Sequence, residues 1–179
     1  MCLTPKEANE YREYLLGLAK TNSPDIISNG GKDHAIVLYS VLLDHSEKDV
    51  RIFCQSGSSA VWKAPEFIDA MTRFLNRENT SLKVLTAEEP SLDSDFVKRD
   101  NVEVCRITTS AQKKIKDHFK NSKCNFAIFD STKYRYEYDF EYFKAYCSFN
   151  APDVVATMIE LFDASFLESA SRHEASQAQ

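Results

Sequence analysis

The one dense group of cations in this sequence is Lys113, Lys114, Lys116, Lys120 and Lys123, with Lys133 and Arg135 close behind. Such a group can hold a phosphate or a nucleic-acid backbone, because phosphate binding is driven by local cation excess. The competing and commoner outcome is a solvated helix face. Asp117 and the acidic stretch AEEPSLDSD (87–95) also dilute the field. An aromatic run follows: Tyr134, Tyr136, Tyr138, Phe140, Tyr142, Phe143 and Tyr146. Exposed and interleaved with Lys and Arg, these rings could stack bases. On one face of a sheet they would equally suit a subunit contact, where Tyr and Phe are enriched.

Other chemistries find little support. His34 and His45 are eleven residues apart, whereas a helical metal pair wants spacings of three or four. His173 lies in a polar tail and reads as solvated. Asp44, Glu47 and Asp49 form a charged helix end and turn, with no pairing that suggests acid–base work. The five cysteines, at 2, 54, 105, 124 and 147, are odd in number and contain no C-x-x-C. That pattern disfavours disulfides and zinc, and it fits a reducing cytoplasm. Cys54, Cys105 and Cys147 sit in apparent strands and read as buried thiols. With only 4 glycines there is no Gly-rich phosphate loop, and no cofactor or metal is implied.

The elements that must position these residues are legible in the patterning. A chain of 179 residues can bury roughly 70% of its unfolded surface in one core, so no staple is required. With 43% hydrophobic and 27% charged residues, disorder is not expected. The 22 Lys and Arg against 27 Asp and Glu give a net charge of −5, poorly suited to coating nucleic acid without sequence preference. No apolar run reaches 18 residues, so no membrane span is expected, and the opening MCLTPKEANEYR has no apolar signal region.

Thr4-Pro5-Lys6-Glu7 reads as a capping box opening a helix whose apolar face is Ala8, Tyr11, Leu15 and Leu18. Residues 22–31 read as a loop. A second helix over about 32–46 is apolar nearly all round (AIVLYSVLL), so it is buried on more than one side. Strands are predicted at 50–54, 82–86 and 102–107, with helices opening at Pro65 and spanning 110–119. FAIF (126–129) is apolar throughout and reads as a central, doubly covered strand. Tyr134, Tyr136 and Tyr138 alternate with charged residues, which predicts another strand, and 143–149 suggests one more. Asn150 caps a last helix carrying Val155, Met158, Phe162 and Phe166, after which SRHEASQAQ is expected to fray. The order predicts an α/β layered sandwich with a mixed sheet flanked by helices. Its expected division is an N-terminal helix and loop packed on the domain (1–29), the domain proper (30–169) and a polar tail (170–179).

Several phrases in this order carry a resemblance. NGGKDHAIVLYSVLLDHSEKDVRIF, PEFIDAMTRFLNR with SLKVL, NFAIFD, and AYCSFNAPDVVATMIELFDASF together resemble one half of a phospholipase D-like protein, over roughly residues 30 to 168. The signature of that family is H-x-K-x4-D, usually with a Ser and an Asn downstream. Its histidine attacks phosphorus, its lysine binds phosphate oxygens and its aspartate orients the histidine. Two motifs meet at a pseudo-twofold axis, so a single half implies a homodimer.

Two registers compete for that signature. If the FAIF strand fixes it, the motif reads Lys123-x-Asn125-x4-Asp130. Nucleophile and phosphate clamp are then both replaced, and an asparagine brings no positive charge. In the other register His118-Phe119-Lys120 is a literal H-x-K, but Asn125 falls at the aspartate place and the segment precedes the strand. The strand register is preferred. His118 then reads as a helix-end histidine favoured by the C-terminal dipole, rather than as a nucleophile.

The resemblance therefore implies a phospholipase D-like fold whose chemistry has degenerated, acting by binding or assembly. The expected partners are a second copy of the chain or a larger protein complex, possessing Tyr134, Tyr136 and Tyr138 at the contact. Genome-defence and nucleic-acid settings are part of the implication, with Lys113, Lys114, Lys116, Lys123 and Arg135 as polyanion ligands. The alternative is a dimeric phosphodiesterase or nuclease using His118 and Lys120, or Lys123 with Asp130, at the twofold axis.

Overall fold

The computed structural model describes residues 3–92 and 94–177. Cys2 lies outside them, as does the side chain of His173.

Helix α1 spans Pro5–Lys20, and the capping box is made in full, Thr4 Oγ1 accepting from the Glu7 N–H while the Glu7 carboxylate accepts from Thr4. Strand β1 (Ile27–Asn29) follows, then α2 (Lys32–Asp44), β2 (Asp49–Cys54), α3 (Pro65–Leu75) and β3 (Ser81–Thr86). A 3-10 turn at Asp95–Lys98 leads to β4 (Val102–Arg106), α4 (Thr109–Phe119), β5 (Asn125–Phe129), β6 (Lys133–Asp139), β7 (Lys144–Ser148) and α5 (Pro152–Gln177).

The seven strands form one mixed sheet in the order β1-β7-β6-β5-β2-β3-β4. Strands β2, β3 and β4 are parallel, and β2 meets β5 antiparallel. Helices α1, α2 and α3 cover one face, packing Leu15, Leu38, Leu42 and Phe74 on Val50, Ile52, Val84, Ala127 and Phe129. Helices α4 and α5 cover the other, packing Ile115, Val155, Met158 and Phe162 on Phe53, Leu85, Phe126 and Ile128. The α/β layered sandwich is thus the architecture observed. As the apolar pattern requires, α2 lies against the sheet, α1 and α3 at once, and β5 is covered on both sides.

Two elements depart from the sequence reading. Residues 27–29, read as loop, form β1, held by antiparallel pairing with β7. Helix α5 continues to Gln177, through most of the stretch expected to fray.

Candidate functional site

Pairing register builds a polar rung at one end of the sheet. Asn29 opposes Ala145, Ala145 opposes Glu137, and Glu137 opposes Asn125. On the far side of β5, Phe126 opposes Phe53, which brings Cys54 level with Asn125, and Cys54 pairs with Thr86. This is the end where the chain leaves β2 and β3 and enters β5. In open α/β sheets ligands favour the crevice at the carboxyl ends of the parallel strands.

A pocket of about 280 Å³ opens there. The loop after β2 supplies Gln55, Ser56, Gly57, Ser58 and Ser59, and Asn125 and Glu137 form part of its lining. Trp62, Phe140 and Phe143 add aromatic walls, and Glu88 contributes from the segment after β3. The Asn125 amide donates to Glu137 Oε2 at 2.7 Å, and Gln55 Nε2 donates to Asn125 Oδ1 at 3.3 Å. Beneath them Arg135 Nη1 donates to Glu137 Oε1 at 2.8 Å. This ion pair is sealed from water, with Arg135 1% and Glu137 5% exposed, and the guanidinium lies 5.1 Å from the Tyr39 ring centre.

Local features hold the pocket open. A register shift in β6–β7 pairing falls between Glu137 and Asp139, the kind of bulge that re-aims side chains beside sites. Phe143 sits at φ 55°, an uncommon place for a bulky residue, and its carbonyl accepts from Arg135 Nη2. Gly57 has φ 76°, and a Cβ there would clash with the Leu92 side chain. Gly57→Ala is expected to cost about 1–2 kcal/mol through left-handed strain and displacement of Leu92. Urea denaturation of the variant measures it, and an unchanged midpoint would mean the loop does not hold this geometry.

Among the described residues the buried side-chain atoms without a partner are Tyr11 Oη, both amide atoms of Asn29, Thr86 Oγ1 and Arg135 Nε. Asn29 and Thr86 stand on the polar rung, and Arg135 is two residues below it. Apart from Tyr11, on α1, the unsatisfied polarity is therefore gathered around one end of the sheet.

The family-like residues are dispersed. Asn125 begins β5 and lines the pocket, whereas Asp130 follows its other end, about 16 Å away at strand rise. Asp130 cannot orient a group at position 123. Its carboxylate instead accepts from the backbone N–H groups of Glu47, Lys48 and Asp49 and pairs with Lys133 Nζ at 3.0 Å. Burial raises its pKa, but the Lys48 N–H, the Lys133 ammonium and the Glu47 N–H outweigh that and hold it below the ordinary 3.8. Lys123 is exposed outside the strand and pairs with Glu141 at 2.7 Å. His118 is exposed in the last turn of α4, its ring edge-on to Phe119. Lys120 caps that helix at φ 49°. Helix α4 covers the sheet face opposite the one from which Asn125 and Glu137 project. His118 and Lys120 thus do not share the strand with Asn125.

The polyanion set needs correction. Arg135 is buried and committed to Glu137, because the sheet face it points to is covered by α2. Lys114 pairs with Glu168 at 2.8 Å, which leaves Lys113 exposed and Lys116 half-buried on α4. The tyrosine set is split as well. Tyr134 is nearly buried under α5 and, with Tyr136, lines an apolar groove rather than standing on an open face. Tyr136 stacks on Phe119, and Tyr138 stacks on Tyr146. Burial pushes the thiols of Cys54 and Cys147 to about 12 and Cys124 to about 11, which suits inert core cysteines. No group of three metal-ligating side chains occurs among the described residues, and no described helix is long and apolar enough to cross a membrane.

The Arg135–Glu137 pair is what sequence reasoning missed. Its signal is the Tyr/charged alternation of β6, which predicts a strand but does not say that both of its faces are covered.

No protein-family model matches the chain, and no curated protein does. Solved structures do. TrmBL2, an archaeal chromatin protein whose structure shows a novel mode of DNA binding, is similar with 16% identity and a TM-score of 0.50. That match covers 89% of this chain, which spans only 58% of the archaeal one. Nuc from Salmonella typhimurium, a phospholipase D family member, is similar with 12% identity and a TM-score of 0.54, covering 81% of this chain and 97% of that one. NucT from Helicobacter pylori gives 11%, 0.52, 81% and 98% in the same order. At such identities the likeness is one of fold, and with the sheet and its two helical layers it gives this chain a phospholipase D-like α/β sandwich.

Proposed function

We propose that this chain is a phospholipase D-like module without phosphodiesterase activity, acting by binding or assembly as a homo-oligomer or as a subunit of a protein complex. One observation carries the reading. Where the family-like register calls for a phosphate-binding lysine, Asn125 stands with its amide donated to the Glu137 carboxylate, and no Lys, Arg or His is among the lining residues. A phosphodiester entering there would meet the Glu88 carboxylate and a Glu137 whose counter-ion, Arg135, lies buried beneath it, with no cation in the lining to hold the phosphate.

The likeness to a DNA-binding chromatin protein does not extend this reading to nucleic acid. The net charge is −5, Lys114 and Lys123 are paired and Arg135 is buried. Of the cation cluster around α4, Lys113, Lys116 and Lys120 are left to displace counterions, too few to carry such binding in a net acidic chain. Assembly has a surface to use. A groove of about 350 Å³ is lined almost wholly by apolar side chains, with Ile26, Tyr146 and Val154 exposed around it.

The test is a chromogenic phosphodiester incubated with the wild type and with His118→Ala, with and without chelator. No turnover above the protein-free blank is expected for either protein. Turnover by the wild type would sink the reading, and its loss in His118→Ala would assign the activity to that histidine.

A further inference from the structure

We propose that the pocket at the polar rung binds a small organic cation, an ammonium or guanidinium carried on a compact body. The inference rests on the non-catalytic reading above and adds the ligand class.

The argument begins with charge. The lining carries two carboxylates, Glu88 and Glu137, and no cationic side chain. Arg135, packed beneath, is donated to Glu137 and neutralises it. Glu88, exposed beside the opening, has no such partner, so the field at the mouth is negative. Anions are repelled and cations drawn in.

The walls agree with the field. Trp62, Phe140 and Phe143 line a space bounded elsewhere by the Gln55 amide and serine hydroxyls. Aromatic faces attract a cation through the ring quadrupole, most strongly where water is excluded. A volume of about 280 Å³ suits a small molecule rather than a peptide or an oligonucleotide. Phe143 stays in the left-handed region at φ 55°, so the aromatic wall is set before any ligand arrives.

Titration calorimetry at low salt with choline and with agmatine tests this, beside inorganic phosphate and a dinucleotide. Saturable binding of at least one cation, and none of the two anions, is expected. Glu88→Gln should weaken the cation on the order of fivefold, the worth of one partly exposed charge contact. Phe140→Ala should weaken it as well. Glu103→Gln makes the same charge change on β4, opposite Lys83, and should leave affinity unchanged. Failure of both cations to bind, or tighter binding of phosphate or the dinucleotide, would overturn the proposal. Because turnover is scored separately with the chromogenic substrate, an inactive protein that binds no cation defeats the ligand class alone. A turning-over protein defeats the non-catalytic reading.

Discussion

Asp130→Ala is expected to destabilise the fold by about 3 kcal/mol, even though the residue stands where the family-like motif has its aspartate. The carboxylate gathers three consecutive backbone N–H groups, from Glu47, Lys48 and Asp49, and so pins the turn between α2 and β2 onto the end of β5. It also neutralises Lys133, which is only 7% exposed. Alanine removes the acceptor and leaves a nearly buried ammonium without its counter-charge, and both losses carry the full desolvation cost. Asp130→Asn should lose less, since an amide oxygen still accepts from the turn while the charge pairing is gone. Urea unfolding ranks the three proteins, and an Asp130→Ala midpoint equal to wild type would refute a structural role. The pH dependence has a fixed sign. The folded pKa of Asp130 lies below its ordinary 3.8, so its contribution is fully present above that value and is lost as pH falls through the folded one. The stability gap between wild type and Asp130→Asn should hold steady from neutrality down to about pH 5 and close below pH 4.

The sequence carried most of the layered architecture because its strongest signals are local. A capping box, a helix apolar all round and a fully apolar four-residue strand each have one good structural solution, and α1, α2 and β5 adopt them. What stayed hidden depends on neighbours distant in sequence. Three residues at 27–29 have no periodicity to read, and only β7 makes them a strand. The alternation in β6 was visible, but alternation fixes which residues share a face and not whether that face is wet. Here both faces are covered. Tyr134 goes under α5, and Arg135 and Glu137 go under α2, so residues that look like a basic, aromatic surface build two interiors. The pocket followed the same rule. Asn125 could be placed from the strand register, but its partners Gln55 and Glu137 lie 70 and 12 residues away and are joined to it only by sheet pairing.

The buried pair itself gives the other large effect. Arg135→Met should cost about 4 kcal/mol, because it strands the Glu137 carboxylate with only the Asn125 amide to satisfy it. Glu137→Leu should cost a similar amount by stranding a guanidinium that is 1% exposed and already has an unpartnered Nε. Combining the two removes both charges and replaces them with apolar volume against Tyr39, Ala127 and Cys147, so the double variant should lie within about 1 kcal/mol of wild type. A double-mutant cycle in urea measures the coupling, and additive losses would show that the two side chains do not act as a pair. The double variant also separates stability from function. If a buried ion pair adds little net stability, its place on the rung is explained by what it does to the pocket: Arg135 orients Glu137, and Glu137 holds the Asn125 amide in the lining. Agmatine affinity should therefore fall at least fivefold in the double variant while the fold survives, a loss of about 1 kcal/mol of binding that unfolding data would not register.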